Sequence, residues 1–338
     1  MISQTADAFK IIEKDGVKYA EVQAFPEDVA VKCTAEDLTL VSPTKEQVLA
    51  KLERYGGCIV KNYLPKEKVD LIEQDVDALI IDGRKYNGSF LPTQTISVPA
   101  MCKKSLVTTE EFVCHPLNLA VSDAILGKEN CFWVGDEVIT GYSPAQHNSC
   151  ISFRIGPGAP DQVLHRDDIL HHNIRKHMDR YEYGTETAVG TVLALSKTTK
   201  QNGATRFVPG SHLWSHMRKP LKDEAVYAEL ERGDCFFMLA SCYHGGSANT
   251  TESEYRTQVI LFMTQGTLRQ EENILLGTPL EYFKSLSLTA IKALGITMSY
   301  PFCGGVNGRD ATALLMPEEY KKREKDDPYT STYPGLVV

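Results

Sequence analysis

Residues 233–264 read GDCFFMLASCYHGGSANTTESEYRTQVILFMT. An apolar strand over residues 233–240 runs into a glycine-rich turn at 243–249, and a second apolar strand over 255–264 leads away from it. His244 stands where the first strand ends. Little bulk surrounds such a place, so a side chain there reaches a cavity mouth. Arg256 lies twelve residues beyond His244, on the second strand, and a hairpin folds it back toward the histidine. The same texture holds from about residue 90 onward. Short β-rich runs (CFWVG, CISFRIG, TVLALS, TRFVPG) alternate with turn clusters (GPGAPD, KQNG, PGSH). Many short strands punctuated by Gly, Pro and Asn predict an antiparallel sandwich or barrel.

Helical signals flank this region. Thr44 is a predicted N-cap with Gln47 in the reciprocal capping-box place. Val48, Leu49, Leu52 and Tyr55 then share a face, and Gly56-Gly57 ends the helix. Cys58-Ile59-Val60 reads as a short strand, and Pro65 opens a second helix with the stripe Val69, Ile72, Val76 and Leu79. Thr278-Pro279-Leu280-Glu281 predicts a further helix start, continuing to about Gly295. The predicted fold is mainly β with flanking helices in one domain, residues 1–338. Its parts are a helical flank at about 44–90, a β core at about 91–270, and a C-terminal helix and tail at about 271–338.

Between the flank and the opening stretch lies Asp161-Gln162-Val163-Leu164-His165-Arg166-Asp167-Asp168. A strand places residues i and i+2 on one face, so His165 and Asp167 point inward together and Asp168 points away. His244 supplies a third ligand. Two imidazoles and one carboxylate on one face of a metal leave positions open, the arrangement of non-haem iron oxygenases. A guanidinium fork at Arg256 clamps a carboxylate, so a diacid with one end on iron has its other end there. His212 and His216 read as structural or surface residues. His171 and His172 read as a mobile polar loop near the entrance.

HRDD, NGATRFVPGSH and HGGSANTTESEYR resemble the phytanoyl-CoA dioxygenase family, above all its branch from fungal natural-product pathways acting on meroterpenoids and alkaloids. The resemblance covers roughly residues 45–270. It implies a double-stranded β-helix (jelly-roll) core. It implies Fe(II) held by His165, Asp167 and His244, 2-oxoglutarate anchored by Arg256, and O2 as second co-substrate. In this branch a Gln three residues before the first ligand also contacts 2-oxoglutarate, which Gln162 matches, as does a Thr on a nearby strand. Thr199 is chosen for that Thr, with Thr198 and Thr205 as alternatives. The implied reaction is oxidative decarboxylation of 2-oxoglutarate coupled to oxidation of a C–H bond, by hydroxylation, desaturation or rearrangement. Asp167 argues against a halogenase, which gives up the carboxylate ligand.

Period-two alternation from Arg256 turns Gln258, Ile260 and Phe262 inward, with Gln258 and Phe262 as candidate substrate contacts. Residues 90–101 form a candidate lid over a hydrophobic small molecule. Leu280, Phe283, Leu288, Ile291 and Leu294 give the C-terminal helix more apolar surface than a lone flank needs. Together with the resemblance, this predicts a homodimer. Two rival readings remain: a zinc hydrolase, which lacks H-E-x-x-H and leaves Arg256 unexplained, and a catalytically silent jelly-roll partner subunit.

The bulk composition narrows the partners. A net charge of -8 offers no basic patch for nucleic acid, and the Lys321 region is interrupted by acids as a solvated surface is. The N-terminal MISQTADAFKIIEKDG has neither a basic start nor an apolar core, and no stretch reaches the ~20 apolar residues of a membrane span. Nine scattered cysteines without a C-x-x-C pair predict free thiols and a cytoplasmic location.

Overall fold

The capping signals near the N-terminus both produce helices. In the computed structural model, which describes residues 10–21 and 28–324, Thr44 and Gln47 exchange the capping-box hydrogen bonds (Gln47 N to Thr44 Oγ1 at 3.4 Å, Thr44 N to Gln47 Oε1 at 2.9 Å). Residues 1–9 and 325–338, with part of the N-terminal and Lys321-region readings, lie outside the described residues.

Elements are numbered in chain order. A hairpin of β1 (Lys10–Lys14) and β2 (Val17–Glu21) precedes α1 (Ala35–Leu38) and β3 (Thr39–Val41). The capped helix is α2 (Lys45–Tyr55). Gly56 closes it at φ 78°, where a Cβ would stand 2.7 Å from His212 Nδ1 and 2.8 Å from Cys242 Sγ. After β4 (Gly57–Lys61) comes α3 (Lys66–Ile80), capped by Pro65, with Val69, Ile72, Val76 and Ile80 buried. Ile80, not Leu79, ends the stripe, because eleven residues is close to three full turns.

The remaining elements are β5 (Arg84–Lys85), β6 (Thr95–Val98), a π-helix at Thr108–Val113, α4 (Pro116–Leu126), β7 (Lys128–Val134), β8 (Glu137–Ser143), β9 (Ala145–Ile155) and β10 (Ala188–Ala194). They continue with β11 (Thr205–Phe207), β12 (Val226–Ala228), β13 (Cys235–Leu239), β14 (His244–Gly246) and β15 (Arg256–Gln265). The chain closes on α5 (Leu280–Ser285), α6 (Leu288–Ala293), α7 (Thr312–Leu315) and α8 (Pro317–Arg323).

An eight-stranded sheet runs β3-β4-β13-β10-β15-β9-β6-β5, antiparallel except for the β3–β4 pair, and a three-stranded sheet runs β12-β11-β14. Strand alternation decides what each face does. On β13, Cys235, Phe237 and Leu239 join the core under the helices, while Phe236 and Met238 face the smaller sheet beside Phe207 and Ala228. On β15, Val259, Leu261 and Met263 face the helices, while Ile260 and Phe262 face inward. The space between the sheets is therefore lined by alternate residues of several strands. This is the mainly β, jelly-roll architecture with flanking helices.

Four expectations need correcting. The CFWVG run pairs only with β8, as a separate two-stranded hairpin, so it is not a barrel strand. Cys58-Ile59-Val60 lies inside the large sheet, so the boundary between helical flank and β core is not at residue 91. The C-terminal helix is two short helices, because Leu286 is extended and Ser287 starts a second cap, accepting from Ala290 N at 3.1 Å. Thr278 is not the N-cap; its hydroxyl donates to Ile274 O at 2.6 Å and Pro279 takes the cap position. Phe283, Ile291 and Leu294 are buried in the chain's own core. Leu280 stays 43% exposed and Leu288 half-buried, so the apolar surplus shrinks to these two.

Candidate metal centre and its cavity

The site forms where β14 meets the segment before the 3-10 helix Asp167–His171. His165 and His244 sit opposite one another in an antiparallel bridge, each backbone N–H donating to the other's carbonyl at 2.9 Å. Asp167 N–H donates to Ala240 O at 2.9 Å, fixing the start of the 3-10 helix beside the end of β13. Gly245 allows this approach, since a Cβ there would stand 2.9 Å from Val163 O. His165 and Asp167 thus converge across a turn into a 3-10 helix, not by alternation along a strand as the sequence predicts.

Asp167 lies between the two imidazoles, with Oδ1 3.5 Å from His165 Nε2 and Oδ2 3.1 Å from His244 Nε2. One donor atom from each residue falls within 4.8 Å of the others. The remaining ring nitrogens face backbone carbonyls: His165 Nδ1 at 2.9 Å from Val163 O, and His244 Nδ1 at 3.0 Å from Cys242 O. That holds the proton on each Nδ1 and leaves both Nε2 lone pairs aimed at one point beside the carboxylate. Burial, then the charge of His244, pushes the His165 pKa down to about 4. Burial raises the pKa of Asp167, but the two histidines outweigh it and hold the carboxyl below its usual range. Burial also opposes charge on His244, and Asp167 outweighs it, so the His244 pKa is raised. Two nitrogens and a carboxylate so arranged fit a borderline divalent ion such as Fe(II).

Asp168 turns away from this point. It is buried between Arg166 (3.5 Å) and the Asn173 amide (3.0 Å), and burial raises its pKa. His212 is buried under α2 with Nε2 2.9 Å from Glu53 O, burial pushing its pKa down to about 4. His216 Nδ1 lies 2.7 Å from Arg175 O. His171 is not in a loop; it ends the 3-10 helix with Nε2 3.0 Å from Arg269 O, and His172 follows it at φ 55°.

Beside these three side chains a cavity of about 420 Å³ opens between the sheets, lined from both. Arg256, Gln258, Ile260 and Phe262 of β15 line it, as do Gln162, Thr205 and Gly246. Arg256 is 3% exposed, and burial pushes its guanidinium down to about 10. Its Nη1 donates to Gln258 Oε1 at 2.7 Å and lies 3.5 Å from Thr205 Oγ1, while Nε has no partner. Among the described residues no carboxylate pairs with it. Gln162 Oε1 accepts from Gly246 N at 3.0 Å, so its amide nitrogen is the group left for the cavity.

Thr199 does not reach the cavity. Its hydroxyl accepts from Asn202 N at 3.2 Å in a tight turn, and Thr198 Oγ1 donates to Ser196 O at 3.3 Å. Thr205 is the threonine on the wall. The lid expectation is also reshaped. Phe90, Leu91 and Pro92 do line the cavity, with the Phe90 ring edge-on to His165 at 4.9 Å, but Thr95–Val98 is strand β6. Sequence reading missed Ser149, Ile151 and Phe153 of β9 and Glu271 beyond β15. The alternation in CISFRIG was a readable signal for the β9 face; nothing local marks Glu271.

A jelly-roll with two histidines and an aspartate at the mouth, and a buried unpaired arginine inside, defines the mononuclear non-haem iron oxygenases that use 2-oxoglutarate. The chain belongs to the phytanoyl-CoA dioxygenase family, whose sequence profile matches residues 52–257. It is 36% identical to the uncharacterized protein YJR154W of Saccharomyces cerevisiae over 79% of this chain and 78% of that one. It is 34% identical to dioxygenase himG of Aspergillus japonicus over 83% and 90%. Its fold is similar to that of the epimerase SnoN, solved with Fe3+, alpha ketoglutarate and nogalamycin RO, at TM-score 0.50 and 19% identity over 66% of this chain and 84% of SnoN. The protein is a non-haem iron 2-oxoglutarate-dependent dioxygenase.

Proposed function

We propose that His165, Asp167 and His244 hold Fe(II), and that Arg256, with Gln162 and Thr205, holds 2-oxoglutarate. The substrate is a hydrophobic small molecule of natural-product biosynthesis, terpenoid or alkaloid in character, oxidised at an unactivated C–H bond within a single oxygenase domain. The observation that carries this reading is the buried Arg256 without a carboxylate partner on the same wall as the three ligands. A zinc hydrolase needs no such guanidinium, and a silent subunit needs no convergent Nε2 pair. Nine free thiols support a reducing, cytoplasmic setting. No helix among the described residues is long and apolar enough to cross a membrane. A homodimer rests chiefly on the family resemblance.

Iron and 2-oxoglutarate, when bound, supply the oxidising power, with decarboxylation to succinate. The chain's own residues do the rest. Arg256 binds the far carboxylate by charge and fork geometry. The Gln162 amide is free to donate into the cavity, since its carbonyl is already taken by Gly246. Phe90 stands edge-on to the His165 ring, and Ile169 and Leu170, exposed at the rim, add apolar surface on the metal side. Phe262 sets the substrate pose. Its inward face leaves no room beside Gly190, where a Cβ would stand 2.8 Å from the ring.

Anaerobic titration with Fe(II), followed by 2-oxoglutarate and air without substrate, tests the reading. Stoichiometric iron binding and slow succinate release are expected; zinc-only binding or no succinate overturns it. Phe262→Ala is expected to alter product distribution or the ratio of product to succinate, while iron and 2-oxoglutarate affinities stay unchanged. Mass spectrometry beside a succinate assay reads this, and identical products with identical coupling remove Phe262 from the pocket.

A further inference from the structure

The cavity has two ends along β15. Arg256 pairs with Ile155 at one, and Phe262 pairs with Ser149 at the other. At ~3.3 Å per residue their Cα atoms stand roughly 20 Å apart. With 2-oxoglutarate at Arg256, a reading on which this inference rests, the Phe262 end is left for the substrate.

That end is apolar apart from one carboxylate. Asp167 and Glu271 are the acidic residues among those lining the cavity, and the metal site uses Asp167. Ser149 Oγ donates to Glu271 Oε2 at 2.7 Å, which leaves Oε1 to the cavity mouth. The loop carrying Glu271 is stitched to β9: Glu271 N donates to Asn148 Oδ1 at 2.8 Å and Glu272 N to Asn148 O at 3.0 Å. Glu272 turns the opposite way, accepting from Ala100 N at 2.7 Å and Cys150 N at 3.2 Å and lying 3.3 Å from buried His147. Glu271 is thus held in place by the backbone on both sides, which is what a preorganised contact requires. Burial raises its pKa, and the Ser149 hydrogen bond opposes this while Asp167 and Glu272 add to it, so the net direction is upward.

The charges on the wall nearly cancel without it. Fe(II), Asp167, the 2-oxoglutarate dianion and Arg256 together sum to neutrality, and Asp168 neutralises Arg166 at 3.5 Å. His147, the one cation that acts on Glu271, is already held by Glu272. Arg84 also lines the cavity, but it lies on the outermost strand β5 in register with Ser97 and Phe153, toward the Arg256 end, exposed and stacked over Tyr86 at 5.3 Å. What remains at the Phe262 end is one negative charge, on Glu271 at the exposed rim, beside an apolar wall of Ile151, Ile260 and Phe262. We propose that Glu271, positioned by Ser149, anchors the substrate, and that the substrate is an apolar molecule carrying a protonated amine.

Three probes of one shape separate the possibilities: phenethylammonium, phenethyl alcohol and 3-phenylpropionate. Each is titrated by calorimetry into anaerobic protein loaded with Fe(II) and 2-oxoglutarate. Phenethylammonium is expected to bind about tenfold tighter than the alcohol, the value of one charge-assisted hydrogen bond, and the carboxylate most weakly. Glu271→Gln keeps the partner for Ser149 and is expected to erase the preference, leaving alcohol and 2-oxoglutarate affinities unchanged. Ser149→Ala is expected to reduce it. Equal binding of amine and alcohol, a preference that survives Glu271→Gln, or no binding of any probe overturns the proposal. If the wild-type protein fails to bind 2-oxoglutarate, the co-substrate reading falls first; if it binds 2-oxoglutarate without preferring the amine, this proposal alone falls.

Discussion

Asp167→Ala is expected to yield a folded protein that no longer retains iron and makes no succinate. The carboxylate is the only anion among the three donors, and it stands between the two Nε2 atoms at 3.1 and 3.5 Å. Without it, two neutral imidazoles remain, and alanine, with no halide in the vacated place, supplies no anion to offset the charge of Fe(II). The fold should not suffer, because the Asp167 side chain bonds only to those histidines. Its backbone N–H, which ties the 3-10 helix to Ala240 O at 2.9 Å, is untouched by the substitution. The neighbouring carboxylate is the contrast. Asp168→Ala would leave Arg166 buried without its counter-charge and the Asn173 amide with only the Thr185 carbonyl, so it is the change expected to lower stability. Circular dichroism, thermal melting and metal analysis on the two variants separate these roles. Wild-type iron content or turnover in Asp167→Ala would falsify the ligand assignment.

What could be read from the sequence was what strands and caps determine locally. The alternation of TQVILFM puts Ile260 and Phe262 on one face and Val259, Leu261 and Met263 on the other, and the structure keeps that division. Thr44 and Gln47 specify their capping box within four residues. Reading failed where position depends on distant hydrogen bonds. Thr199 and Thr205 are both plausible by spacing, but Asn202 draws Thr199 into a turn while β11 carries Thr205 to the wall. Asp167 comes to lie between the two imidazoles because Ala240, far along the chain, accepts its N–H. Glu271 faces the cavity because Asn148 holds its loop. No local pattern encodes these. The split of the C-terminal helix is legible in Ser287, a cap residue ahead of Leu288 and Ile291, although the apolar stripe runs on across it.

Arg256→Ala is expected to raise the 2-oxoglutarate KM steeply while iron binding persists. The guanidinium is buried, has no carboxylate partner among the described residues, and is steadied by Gln258 Oε1 at 2.7 Å. Burial alone pushes its pKa down to about 10, which is still far above neutral, so it is charged in the cavity. A dicarboxylate that enters with one end on the metal brings the missing counter-charge. Removing the arginine then leaves that carboxylate desolvated and unpaired, a loss of ~2–5 kcal/mol. At about 1.4 kcal/mol per decade this is roughly 30-fold to several-thousand-fold in affinity. Gln162→Ala should cost far less, because it removes one neutral amide whose carbonyl is already engaged with Gly246. The ordering of the two variants is the informative result. Arg256→Lys sharpens it, since lysine keeps the charge but not the bidentate fork, and should fall between wild type and Arg256→Ala. Calorimetric titration of 2-oxoglutarate into Fe(II)-loaded protein under argon measures all three without turnover. An affinity in Arg256→Ala equal to that of the wild type would mean that the diacid lies elsewhere in the cavity.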